Sequence, residues 1–156
     1  MLLSMSDERL LELKQMCANA YRTEIEQRCP EAVLLGMCTH QQLADIYPSA
    51  DLFVFPSTTE TFGNVTLESL ASGTPVLAFN CAAAKDLLIP QHNGWLVEAG
   101  DVNAFLSQAR AIAQDVETLQ AMRAATAASV AEQGWDHIVG EVERVFRSTL
   151  MRNERA

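Results

Sequence analysis

Apolar residues fall in two rhythms along this chain. Over residues 7–27, Leu10, Leu11, Leu13, Cys17, Ala18 and Tyr21 recur at helical spacing behind Ser6, a residue type that caps helices, and Pro30 stops the pattern. The rhythm then shortens. AVLLG (32–36), LFVF (52–55), PVLAF (75–79) and GWLV (94–97) are continuous apolar runs, bounded by turn residues and separated by helix-length segments. Continuous rather than alternating apolarity marks strands covered on both faces, as in a parallel sheet. The segments between them, THQQLADIYPSAD, GNVTLESLASG and AAAKDLLIP, serve as crossover helices, the second closed by Gly73 and the third by Pro90. Beyond Asp101 the pattern is helical throughout. Leu106, Ala109, Ile112 and Ala113 make one apolar face, residues 116–130 a second, and Trp135, Ile138, Val142, Val145 and Phe146 a third. The pattern predicts an α/β fold: four parallel strands, flanking helices and a helical C-terminal tail.

Composition narrows what such a fold does. With 156 residues, 49% of them hydrophobic, the chain reads as a single domain over 1–156. Its 20 acidic against 11 basic residues, a formal charge of -9, leave no electrostatic footprint for nucleic acid and no polybasic stretch for an anionic membrane. No apolar run approaches the roughly 20 residues of a transmembrane segment. The start turns charged at Asp7, too early for a secretory signal, so a cytoplasmic location is expected. Cys17, Cys29, Cys38 and Cys81 make no C-x-x-C pair and have no His at zinc spacing, so reduced thiols and no metal site are expected. His40, His92 and His137 are scattered without a nucleophile or carboxylate at regular spacing.

One stretch carries candidate chemistry. In FPSTTETFGNVTLESLASGTPV, Glu60 and Glu68 flank Gly63, inside a tract from Cys29 to Ala84 that holds no Lys or Arg. Ligands of parallel sheets bind beyond the carboxyl ends of the strands, and the STTETFG loop after the second run occupies that edge. With Leu67, Leu70 and Ala71 as the core stripe of the following helix, Glu68 turns away from the core, and both carboxylates can face one cleft. The backbone N–H groups of residues 62–65 stand at the positive end of the helix dipole, a phosphate site that requires no cation. Carboxylates accept from neighbouring hydroxyls, so the pieces together suit a nucleotide-sugar. Taken singly, Glu60 also fits an exposed loop residue and Glu68 a solvated helix face.

The same residues resemble the signature of the family 4 retaining glycosyltransferases. These have a GT-B fold, two Rossmann-like halves across a deep cleft, and a pair of glutamates separated by seven residues in the donor site. Glu60 and Glu68 have this spacing. Ala50-Asp51, Pro56-Ser57, Phe62-Gly63, Leu67-Glu68, Ala71-Ser72-Gly73 and Pro75-Val76 match around it, followed by NGWLVEAGD (93–101) and Trp135-Asp136. The resemblance covers about 110 residues, from Glu31 to Phe146, within the C-terminal, donor-binding half of the fold. It implies a Rossmann-like parallel sheet with flanking helices and a helical tail, an incomplete C-terminal half of GT-B. It assigns Glu60 to the donor sugar near the reacting carbon, as the catalytic position, and Glu68 to the ribose hydroxyls. Thr61, Phe62, Gly63, Asn64 and Val65 then line the donor, with backbone amides approaching sugar and diphosphate. The donor is UDP- or GDP-linked, transfer is retaining, and neither metal nor other cofactor is required.

The departures from the family pattern shape a second expectation. The Gly-Arg turn and following lysine that clamp the diphosphate do not occur before Ala32, and the acceptor-binding N-terminal half is absent. The loop after the Pro-Val strand reads Cys81 to Ala84, with Lys85-Asp86 beyond. A transferase part that is inactive as an isolated chain is therefore expected, its bare surface covered by the first helix and by a missing acceptor domain or self-association. The alternative is a non-catalytic nucleotide-sugar-binding or assembly module that pairs with a separate acceptor subunit.

Overall fold

The structure, a computed structural model, describes residues 21–60 and 63–153, with side chains to Leu150. They fall into two compact units divided between Thr39 and His40. In the first unit residues 21–28 are helical, laced by the exposed pairs Arg22–Glu26 (2.9 Å) and Arg28–Glu24 (3.1 Å). The expected helix before Tyr21 lies outside the described residues. The AVLLG run does not form the strand its apolarity suggested. Residues 32–36 carry no regular structure, and Val33 and Leu35 are exposed. A strand exists only when a neighbour completes its ladder, and this run pairs with none of the described strands.

The second unit holds a three-stranded parallel sheet, one strand fewer than expected. Its strands are β1 (Phe53–Phe55), β2 (Val76–Phe79) and β3 (Gly94–Val97), in the order β1-β2-β3. Helices α1 (His40–Ser49), α2 (Asn64–Ala71) and α3 (Ala82–Leu87) precede and connect the strands. Then follow α4 (Val102–Gln114), α5 (Val116–Thr126), a 3-10 turn (Ala128–Gln133) and α6 (Trp135–Asn153).

The central strand explains its own apolarity. All four residues of β2 are buried, and they alternate between two cores. Val76 and Ala78 pack with Leu70, Ala84, Leu88 and Val130 on one face; Leu77 and Phe79 pack with Phe105, Ile112 and Leu119 on the other. Gly94 permits the β2–β3 pairing: a Cβ there would lie 2.3 Å from the Val76 carbonyl oxygen. Buried Asn93 then locks the loop before β3. Its side chain accepts from the Ile89 amide at 2.7 Å and donates to Leu87 O at 3.0 Å and Ser129 Oγ at 2.8 Å.

Three expected helix faces shift. In α2 the fully buried positions are Thr66, Ser69 and Leu70, with Leu67 partly buried and Ala71 exposed. Ser69 tolerates burial because its hydroxyl donates to Thr74 O at 3.0 Å. In α4 the buried residues are Phe105 and Ile112, because the Phe105 ring packs against Phe79 at 4.7 Å, tilted by 43°, while Leu106 is exposed. The apolar segment 116–130 divides at Ala127 into α5 and the 3-10 turn. Asp101 and Asp115 cap α4 and α5 by accepting from Ala104 N (2.9 Å) and Thr118 N (3.1 Å). The tail is helical as expected, and Trp135, Val142, Val145 and Phe146 of α6 are exposed. Among the described residues no helix is long and apolar enough to cross a membrane.

Candidate functional site

The loop from β1 and the first turn of α2 meet at the carboxyl edge of the sheet. Gly63, at φ 88° and ψ 56°, caps α2 in the left-handed conformation, which a side chain would strain. Space is not the constraint there: an added Cβ would meet nothing nearer than Glu60 at 3.8 Å. No side chain of the described residues caps this helix; of its first amides, Thr66 N donates to Gly63 O at 3.0 Å. Thr61 and Phe62 lie outside the described residues.

A shallow recess opens beside this turn, lined by Ser57, Glu60, Gly63, Thr66, Cys81 and Ala82 among others. Glu60 is exposed and receives the Ser57 hydroxyl at 3.0 Å. Below it, Cys81 Sγ donates to Ser57 O at 3.6 Å, tying the start of α3 to the β1 loop. Ala82 has φ 45°, a left-handed strain in a non-glycine residue. The Thr66 hydroxyl is fully buried and has no hydrogen-bond partner among the described residues.

Glu68 stands elsewhere on α2. It does not line the recess; half-buried, it lies close enough to Tyr47 of α1 for its charge to act on the phenol. Burial first, then the Glu68 carboxylate, push the Tyr47 phenol above its usual range. Tyr47 is itself fixed, edge-on to Phe53 at 5.4 Å, and Phe53 stacks on Phe55 at 5.5 Å. Glu60 therefore meets a neutral hydroxyl. A hydroxyl donor leaves the carboxylate charged, with lone pairs free to accept from further hydroxyls.

Of the residues expected in the donor site, the recess gathers Glu60 and Gly63; exposed Asn64 and half-buried Val65 open α2 alongside, and Glu68 lies toward α1. Sequence reasoning named Ser57 and the Cys81 to Ala84 loop only as parts of the family pattern, and did not single out Thr66 or Tyr47. Ser57 sits three residues before Glu60 and was within reach of a turn argument. Tyr47 is 21 residues from Glu68 and no local spacing joins them.

A parallel sheet with helices on both faces, and a recess at its carboxyl edge beside a glycine-led helix, is the architecture of a Rossmann-like domain of the GT-B class. The family profile described as Glycosyl transferases group 1 matches residues 8–115, and the chain belongs to this family. D-inositol 3-phosphate glycosyltransferase 1 of Catenulispora acidiphila is 37% identical over 113 residues, 72% of this chain and 27% of that protein. Sucrose-phosphate synthase from Thermosynechococcus elongatus superposes with a TM-score of 0.69 at 28% identity, over 85% of this chain and 35% of that one. Anabaena Alr3699/HepE in complex with UDP gives 0.64 at 25% identity, over 87% and 36%. The chain thus spans about a quarter to a third of the length of these proteins. The shared part is a partial, C-terminal GT-B unit.

Proposed function

We propose that this chain supplies the nucleotide-sugar donor site of a retaining glycosyltransferase, with Glu68 accepting from the ribose hydroxyls and Glu60 from the sugar near its reacting carbon. The amides of Gly63, Asn64 and Val65, with Thr61 and Phe62 beside them, meet the sugar and diphosphate. Support comes from one arrangement above all: a helix N-terminus with no side-chain cap among the described residues, with Glu60, held by the Ser57 hydroxyl, in the loop before it and Glu68 further along the same helix. An anion is favoured at the helix end, while each carboxylate keeps acceptor capacity that a lysine partner would have consumed. The departing diphosphate is stabilised by fixed dipoles and positioning rather than by covalent chemistry. UDP is the first probe, since the Anabaena relative was solved with it, and GDP the second.

Transfer itself is expected only when an acceptor-binding part is supplied. The isolated chain should bind nucleotide weakly, with a dissociation constant on the order of millimolar, since one helix terminus faces a diphosphate on a protein of charge -9. Calorimetry with UDP and GDP tests this directly. Glu68→Ala should weaken whichever binds by roughly 1–3 kcal/mol, because two ribose donors lose their acceptor. Unchanged affinity in that variant, or no binding of either nucleotide to the unmutated chain, overturns the donor-site assignment. An inverted anomeric centre in the first product of the reconstituted reaction overturns retention.

A further inference from the structure

We propose that Thr66 is a specificity-determining residue for the donor sugar: its buried hydroxyl, which no group of the described residues meets, takes its hydrogen-bond partner from one neutral sugar hydroxyl seated in the recess. This rests on the reading of the recess as part of the donor site and adds the sugar chemistry that it selects.

Thr66 is the exception among its kind. The other buried serine and threonine hydroxyls of the described residues each donate to a carbonyl: Ser69 to Thr74 O at 3.0 Å, Thr74 to Tyr47 O, and Thr126 to Met122 O at 2.8 Å. The Thr66 hydroxyl has no such partner, although its own backbone amide is satisfied by Gly63 O. It stands in the first turn of α2, fully buried, and shares the lining of the recess with Ser57 and Glu60. An unmet hydroxyl costs stability, so one kept beside a recess points to a partner that comes from outside the chain.

Size and charge decide what that partner is. The recess holds about 10 Å³, room for one water-sized group, between apolar walls that include Phe55, Ala78 and Ala84. A hydroxyl fits there; a phosphate or an acetamido group does not. The Glu60 carboxylate in the same lining disfavours an anion, whereas an alcohol offers both a donor for Glu60 and an acceptor for Thr66. The Thr66 hydroxyl is closed off by the recess wall, which the sugar must shift to reach it. Ala82, held at φ 45° in that wall, is the residue with strain to release.

The test separates the sugar from the nucleotide. An NMR titration compares UDP with UDP-glucose and UDP-galactose, and GDP with GDP-mannose, on the unmutated chain, Thr66→Val and Thr66→Ser. On the unmutated chain a nucleotide-sugar should bind more tightly than its own nucleotide. Thr66→Val should then lower the nucleotide-sugar affinity about fivefold and leave that of the nucleotide unchanged. Thr66→Ser, which keeps the hydroxyl, should recover most of the loss. No gain from any of the sugars, an unaltered nucleotide-sugar affinity in Thr66→Val, an equal loss for the bare nucleotide, or a loss as large in Thr66→Ser would overturn the role of the hydroxyl. No binding of UDP or GDP to the unmutated chain would remove the donor-site reading itself, and this inference with it. If Thr66→Val does not fold, the Thr66 methyl resonance of the unmutated chain decides. It should move with a nucleotide-sugar and stay in place with the nucleotide, and a resonance that behaves alike in both titrations overturns the seat.

Discussion

At the scale of single residues, hydroxyl groups rather than cations surround the N-terminal end of α2 in the described residues. Ser57 is satisfied by a carboxylate, whereas the buried Thr66 hydroxyl has no hydrogen-bond partner among the described residues. A buried unpaired hydroxyl keeps its desolvation penalty, so the nearly isosteric Thr66→Val should raise unfolding stability by about 1 kcal/mol in a denaturant titration. A drop in the midpoint would show that the hydroxyl has a partner after all. Tyr47 makes a pH prediction of defined sign. Its phenol is raised in the folded state, so its contribution is complete below the ordinary tyrosine value of about 10 and is lost as pH climbs through the folded value. Thermal melts between neutral and strongly alkaline pH should show a loss that is smaller in Glu68→Gln and absent in Tyr47→Phe. An identical alkaline loss in all three proteins would exclude Tyr47 as its source.

At the scale of elements, the sequence and the structure agree where burial leaves a one-letter trace. The runs at 52–55, 75–79 and 94–97 contain the three strands: β2 is covered from both faces, as its continuous apolarity records, while the edge strand β1 leaves Val54 exposed. The run at 32–36 has the same composition and no ladder, since composition records what a strand would bury and not whether a neighbour is there to pair. The face of α2 was misjudged for the opposite reason: its buried surface includes Thr66 and Ser69, polar residues that a hydrophobic pattern passes over. The loop–glycine–helix element of the candidate site was legible from Gly63 and the glutamate spacing, whereas the α1–α2 contact behind Glu68 depends on tertiary packing. Gly94 is where one element most depends on another. In Gly94→Ala the new methyl meets backbone rather than a movable side chain, so β3 must separate from β2 at a cost of roughly 1–3 kcal/mol or more. A Gly94→Ala chain with an unchanged denaturation midpoint would mean the two strands can part without loss.

At the scale of the whole molecule, charge and ligand pull in opposite directions. A protein of charge -9 repels a nucleoside diphosphate over distances that salt screens, while the helix-end contacts act at short range. UDP or GDP should therefore bind more tightly as ionic strength rises from about 0.01 to 0.15 M, across which the Debye length falls from about 30 to 8 Å. Weakening over that range would reveal a cationic contribution, and Lys85, exposed at the end of α3, would be the first side chain to replace. The same unit is held together by Asn93, which joins the α3 end, the β3 entry and, through Ser129, the 3-10 turn. Asn93 is followed by Gly94, the pairing in which an unconstrained asparagine cyclises most readily on the next amide and loses its nitrogen as ammonia. Burial and three hydrogen bonds deny the side chain the freedom for that reaction while the fold is intact. Each excursion to the unfolded state lifts the protection, and the aspartate left behind would carry a charge into a site built around two amide donor bonds. The asparagine that closes the fold thus also records its history: chemical ageing at this one position converts reversible unfolding into permanent loss.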